Sequence, residues 1–187
     1  MSPIPRSVCV FCGSRPGTDP TMMRAAEDTG TMLARRGWRL VYGAGDIGLM
    51  GAVARATQAQ GGKTFGVIPT HLMQNEVART ALDTLVITET MHERKKVMFA
   101  NSDAAVVLPG GAGTLDEFFE VLTWAQIGLH DKPLILLDHG GFWAPLLALI
   151  DHVIDQGFAN SSLRGLVSVA QSVVEMEARL DAALARG

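Results

Sequence analysis

The residues best suited to chemistry lie in Pro109-Gly110-Gly111-Ala112-Gly113-Thr114-Leu115-Asp116-Glu117. Glycines at 110, 111 and 113 carry no Cβ, so the backbone there can approach a ligand closely, adopt φ > 0 and aim several amide N–H groups at one anion. The sequence predicts that a helix begins inside this segment. Its N-terminus adds partial positive charge, and the Thr114 hydroxyl can donate to a phosphate oxygen. Three glycines would also suit a plain strand-to-helix turn. No lysine follows in the G-K-[ST] form of a P-loop, which argues against a triphosphate with Mg²⁺.

A second cluster, Thr90-Met91-His92-Glu93-Arg94-Lys95-Lys96, gathers five ionisable side chains at the predicted start of another helix. Three cations at the positive end of a helix dipole are locally unfavourable, which suggests a use, although a solvated charged face has the same pattern. Arg94 shares a face with Thr90 and Met91, whereas Lys96 points elsewhere. The loop Gly43-Ala44-Gly45-Asp46-Ile47-Gly48 matches G-x-G-x-x-G between a predicted strand and helix. The acidic residue of a dinucleotide site, expected about 20 positions on, is replaced by Ile68-Pro69-Thr70-His71. A nicotinamide dinucleotide is therefore not expected, while Gly45 is expected to line the nucleotide pocket. Ser14, in Cys12-Gly13-Ser14-Arg15, can hydrogen-bond the phosphate, and an ordinary turn at a strand end has the same composition. Cys9 and Cys12 form a C-x-x-C pair, but Cys9 lies inside the apolar run Val8 to Phe11. A redox pair would begin a helix, so both are read as small apolar residues. The five histidines, His71, His92, His130, His139 and His152, lack metal-ligand spacing, and neither a metal nor a cofactor is expected.

These groups must be positioned by an alternation of short apolar runs and helical periods. Strands are predicted at 7–11, 39–42, 64–68, 84–88, 104–108, 134–137 and 166–169, with helices over 21–36, 49–60, 91–101, 114–127, 142–156 and 172–186. Met22, Ala25, Ala26, Thr29, Met32 and Leu33 form the apolar stripe of the first helix. Leu146, Leu147, Leu149, Ile150, Val153 and Ile154 mark the fifth for core or dimer packing. Residues 69–83 show no clear period and are left open. Strands joined through helices run parallel, and right-handed crossovers favour an α/β, doubly wound, Rossmann-like sheet. Ligands of such sheets bind beyond the carboxyl ends of the strands, where the groups above fall.

The 187 residues suit a single domain spanning 1–187. With 48% apolar and 19% charged residues, it has enough material for a core without disulfides. Its 16 basic and 19 acidic residues include no block of like charge, so neither a nucleic acid nor a membrane surface is an expected partner. No run approaches the roughly 18 apolar residues of a membrane span, and MSPIPRSVCVF lacks a signal-like segment, so a cytoplasmic location is expected.

Pro-Gly-Gly-x-Gly-Thr-x-x-Glu at Pro109 to Glu117, preceded by Met-His-x-Arg-Lys at Met91 to Lys95, resembles the LONELY GUY cytokinin riboside 5'-monophosphate phosphoribohydrolases, many of which carry an older "lysine decarboxylase" label. The likeness runs from Val10-Phe11-Cys12-Gly13-Ser14 through Gly43-Ala44-Gly45 and Leu122-Thr123-Trp124-Ala125-Gln126 to Gly157-Phe158. It implies a Rossmann-like homodimer that hydrolyses N6-modified AMP to free base and ribose 5-phosphate. It also implies catalytic positions at Arg94 and Glu117 and nucleotide contacts at Glu76, Lys95, Gly110 to Thr114 and Thr123, with Ser14 on the phosphate side. Arg15-Pro16 departs from the small residue that many members have after the serine. Lysine decarboxylation would need a pyridoxal phosphate Schiff base and a much larger enzyme. The alternatives are hydrolysis of AMP itself in nucleotide salvage, or a non-catalytic nucleotide-binding or carrier protein of molybdenum-cofactor type. Neither kind of binder needs a carboxylate beside the ribose, so Glu117 separates hydrolase from carrier.

Overall fold

The computed structural model describes residues 5–73 and 82–185. In chain order these form β1 (Ser7–Phe11), α1 (Pro20–Arg35), β2 (Arg39–Tyr42), α2 (Gly48–Ala59), β3 (Thr64–Pro69), β4 (Thr84–Thr88), α3 (Met91–Ala100) and β5 (Ala104–Val107). There follow α4 (Ala112–Gln126), β6 (Leu134–Leu137), α5 (Ala144–Asp155), α6 (Ser162–Gly165), β7 (Ser168–Ala170) and α7 (Val173–Leu184). Short 3-10 turns occupy Thr70–Leu72 and His139–Gly141. The seven strands make one sheet, ordered β4-β3-β2-β1-β5-β6-β7, in which every neighbouring pair is parallel. This is the expected doubly wound α/β arrangement. Its order reverses direction between β1 and β5, so the crevice outside their carboxyl ends is the fold's natural ligand position.

The central strands are apolar without interruption because helices cover both faces of the sheet. Val8 and Val10 face a core built with α1, α2 and α7, while Cys9 and Phe11 face a second core built with α3, α4 and α5. The three-residue spacing puts Cys9 and Cys12 in opposite cores, and both thiols are free and buried. Burial, and after it the negative charge of Glu117, pushes the Cys12 thiol far above its ordinary range. The C-x-x-C spacing is therefore a consequence of strand geometry with no redox pair behind it.

Every expected helix is present with an end shifted by one or two residues, α6 is an addition, and three of the shifted starts have local reasons. Helix α1 starts at Pro20 because Asp19 caps it, its carboxylate accepting from the Thr21 amide at 2.8 Å. Helix α5 starts at Ala144 instead of Phe142, after a turn in which Gly140 has φ 64°. Helix α4 starts at Ala112, two residues earlier than predicted, with Gly111 as its N-cap. Among the described residues no helix is long and apolar enough to cross a membrane.

Candidate active site

The ends of β1 and β5 are held together by backbone alone. The Gly13 amide donates to the Pro109 carbonyl at 3.0 Å, and the Leu49 amide at the start of α2 donates to the Gly13 carbonyl at 3.0 Å. Between these ends opens a cleft of about 660 Å³. Its lining brings together Ser14, Arg94, Gly110, Gly111, Gly113, Thr114 and Glu117, which lie as much as 103 positions apart in the chain.

Its floor is the N-terminus of α4. The first helical hydrogen bond runs from the Leu115 amide to the Gly111 carbonyl at 3.0 Å. The N–H groups of Ala112, Gly113 and Thr114 therefore precede the helical ladder, and Gly111 has no side chain with which to cap them. The early start of α4 converts the glycine run from a loop into an uncapped helix end facing the cleft, a ready position for an anion. Gly110 is needed for close approach: a Cβ there would sit 2.1 Å from Thr114 Oγ1 and 2.9 Å from the Gly13 nitrogen. Thr114 is buried, and Glu117, one turn further along α4, is half-buried.

Arg94 enters from α3 and is only 3% exposed. Its Nε donates to the Val67 carbonyl at 3.1 Å and its Nη2 to the Gly43 carbonyl at 2.5 Å, with Met91 Sδ 3.7 Å from Nη1. The G-x-G-x-x-G loop thus has a different task from the one its pattern suggests. Gly45 is buried and does not line the cleft. The loop instead wraps the guanidinium: a Cβ on Gly43 would lie 2.1 Å from Arg94 Nη2, and buried Ala44 is held at φ 59°, a costly conformation for a residue with a side chain. The crowding of cations at the start of α3 is offset by a capping box, in which the Glu93 amide donates to Thr90 Oγ1 and the Thr90 amide to the Glu93 carboxylate, each at 3.2 Å. The T-x-x-E spacing at Thr90 carries that signal in the sequence.

Other expected positions fall outside the cleft lining. Lys95 lies outside the lining and reaches across to α4, where Nζ meets Asp116 Oδ2 at 2.8 Å and Glu120 Oε2 at 2.7 Å. Burial disfavours its charge, but the bonds to Asp116 and Glu120 outweigh this and raise its pKa. Thr123 is exposed and its hydroxyl donates to the Phe119 carbonyl at 2.6 Å. Glu76 lies outside the described residues. Conversely, Met22, assigned to the core stripe of α1, is only half-buried and lines the cleft with Met50, Met91 and Phe142. Sequence periodicity could not separate a core methionine at the first turn of a helix from one that faces an open crevice.

The family model described as "Possible lysine decarboxylase" matches residues 50–180. A cytokinin riboside 5'-monophosphate phosphoribohydrolase of Arabidopsis thaliana, LOG3, is 42% identical over 176 residues, covering 94% of this chain and 82% of that protein. The phosphoribohydrolase of the same name from Rhodococcoides fascians is 43% identical over 172 residues, 91% of this chain and 87% of that one. The chain belongs to this phosphoribohydrolase family. Membership agrees with the cleft: among the described residues no lysine lines it, so it offers no amine for the Schiff base that the older family label would require. The molybdenum cofactor carrier protein of Chlamydomonas reinhardtii has the same fold, with a TM-score of 0.75 at 24% identity over 97% of this chain and 99% of that one. The molybdenum cofactor binding protein of Rippkaea orientalis also shares it, with a TM-score of 0.75 at 22% identity over 98% of this chain and 99% of that one.

Proposed function

We propose that the chain hydrolyses the N-glycosidic bond of an N6-modified adenosine 5'-monophosphate, releasing the free base and ribose 5-phosphate. The observation that carries this reading is the uncapped N-terminus of α4 in the same cleft as Glu117. The amides of residues 112–114 would receive the 5'-phosphate, assisted by Thr114 and by Ser14 across the crevice. Glu117 follows Thr114 by three residues and Gly113 by four, so it shares their face about one turn, roughly 5 Å, along the axis. Anchoring the phosphate therefore lays the attached ribose along the helix toward the carboxylate, so that binding energy from a remote group orients the reacting carbon.

Departure of the base leaves positive charge on the anomeric carbon, which a carboxylate stabilises while it accepts a proton from the attacking water. Water supplies hydroxyl to C1', and the proton that the carboxylate takes from it passes on to the departing base nitrogen. Arg94, fixed by two backbone carbonyls, contributes a rigid positive charge beside the reaction. The methionines and Phe142 give the cleft an apolar wall suited to a base and its substituent. A carrier on this fold would have no use for Glu117.

The test is product analysis after incubation with AMP and with isopentenyl-AMP. Free base and ribose 5-phosphate in equal amounts are expected, with kcat/KM higher for the N6-modified substrate. A higher value for AMP would replace the cytokinin reading with nucleotide salvage, and no base from either would overturn hydrolysis.

The same reading includes a cytoplasmic homodimer. Its support is apolar surface left uncovered on α5 and in the segments after α4 and α5, where Leu149, Ile127, Leu129 and Phe158 are 50%, 63%, 69% and 86% exposed. Light scattering on the purified chain should give the mass of two copies. A monomer at micromolar concentration would remove this part of the proposal.

A further inference from the structure

We propose that Glu120, acting through Lys95, is a positioning residue that sets the spacing between Arg94 and Glu117; this rests on the hydrolase reading above. The two cleft groups sit on different helices, Arg94 on α3 and Glu117 on α4, and their immediate neighbours are joined behind the cleft. Lys95 follows Arg94 directly, and its ammonium lies 2.7 Å from Glu120, three residues beyond Glu117 on the next turn. It also lies 2.8 Å from Asp116, the residue before Glu117. The Lys95 and Glu120 side chains are only 11% and 14% exposed, so water screens this pair much less than an ordinary surface pair. Asp116, which accepts the Lys95 hydrogen bond, is 59% exposed, whereas Glu120 meets Lys95 as a largely buried ion pair that water screens less.

The arrangement also keeps the charges apart. Glu117 and Glu120 are like charges at i, i+3, an unfavourable spacing unless one of them is neutralised. Lys95 does this for Glu120 on the outer side of α4, and His92 Nδ1 approaches the same carboxylate at 3.8 Å. Glu117 then remains the carboxylate that faces the cleft. One turn further along both helices, four residues beyond Lys95 and Glu120, the rings of Phe99 and Trp124 meet edge to face at 5.2 Å. That apolar contact keeps the distal halves of α3 and α4 packed when the ion pair is removed. Loss of the pair thus falls on the proximal halves, where Arg94 and Glu117 stand.

Glu120→Gln and Lys95→Met in the full chain, assayed on AMP, test this. Small misplacements of reacting groups are costly, so kcat should fall about 10- to 100-fold in each variant. KM for AMP should stay within about twofold, because the phosphate amides are untouched. Lys95→Arg, which retains a cation able to reach Glu120, should recover most of the lost kcat. Wild-type kcat in both removal variants would overturn the inference. So would a rise in KM with kcat unchanged, which would make Lys95 a nucleotide contact, or a Lys95→Arg variant as slow as Lys95→Met. If one removal variant fails to fold, the other and the arginine rescue decide. Absence of base release by the wild-type chain would instead defeat the hydrolase reading itself.

Discussion

Glu117→Gln should slow base release from AMP by about 10³-fold or more while leaving the nucleotide bound, because the change removes a charge where the transition state develops the opposite one. The substitution is close to isosteric, and Glu117 is half-buried on a helix whose N-terminal amides are backbone groups that no side-chain change removes. Phosphate binding should therefore survive. In kinetic terms kcat and kcat/KM should fall together, the mark of an interaction made only in the transition state. Single-turnover measurement of base release, paired with calorimetric titration of AMP, separates the two quantities. A variant that kept wild-type turnover would remove Glu117 from the chemistry. One that lost only AMP affinity would make it a ribose contact, and the non-catalytic reading of the fold would gain ground.

That Glu117 lines the cleft beside the glycine turn was legible in the sequence because its context is local. A strand, three glycines and an amphipathic helix lie within about twenty residues, and the carboxylate's face follows from helical spacing. The parallel sheet was equally legible, since β2, β4 and β6 fall where the short apolar runs put them. Other features depend on contacts across the chain. That Gly43 serves Arg94, 51 positions away, is invisible in a loop that matches a dinucleotide pattern. The pairing of Lys95 with Glu120 requires knowing that α3 and α4 lie side by side, and a run of basic residues at a helix start does not say which of them turns inward. Arg94 and Lys95 are adjacent, yet the helix sends one into the cleft region and the other across to α4. Type and order were sufficient for the glycine turn that opens α4, whereas the partners of the charged residues had to come from the packing.

Arg94→Ala should both lower turnover, by about 10²-fold or more, and destabilise the fold, and the two effects have a common origin. In the native chain the guanidinium donates to the Val67 carbonyl, inside β3, and to the Gly43 carbonyl, just past the end of β2. Truncation leaves both without that donor in a buried region, at about 1–3 kcal/mol each. It also removes the side chain against which the Gly43-Ala44 turn is folded, where Ala44 is held at φ 59°. The loss of an arginine from low dielectric recovers part of this, because a charge no longer has to be kept from water. The carbonyls and the emptied volume should outweigh that gain, for a net cost of about 2–3 kcal/mol, or roughly 4–12 °C in Tm for a domain of this size. Chemically, the cleft loses its fixed positive charge near Glu117; the Cys12 thiol pKa is raised by burial first and then by Glu117, and Arg94 opposes both. Thermal melting and steady-state kinetics on AMP, measured below the variant's Tm, read the two effects separately. A lower Tm with unchanged kcat would confine Arg94 to holding the loop, and a raised KM with unchanged kcat would make it a substrate contact. A fall in kcat that persists when the chain is demonstrably folded separates the loss of the guanidinium from global unfolding, and it places Arg94 in the working of the cleft as well as in the stability of the fold.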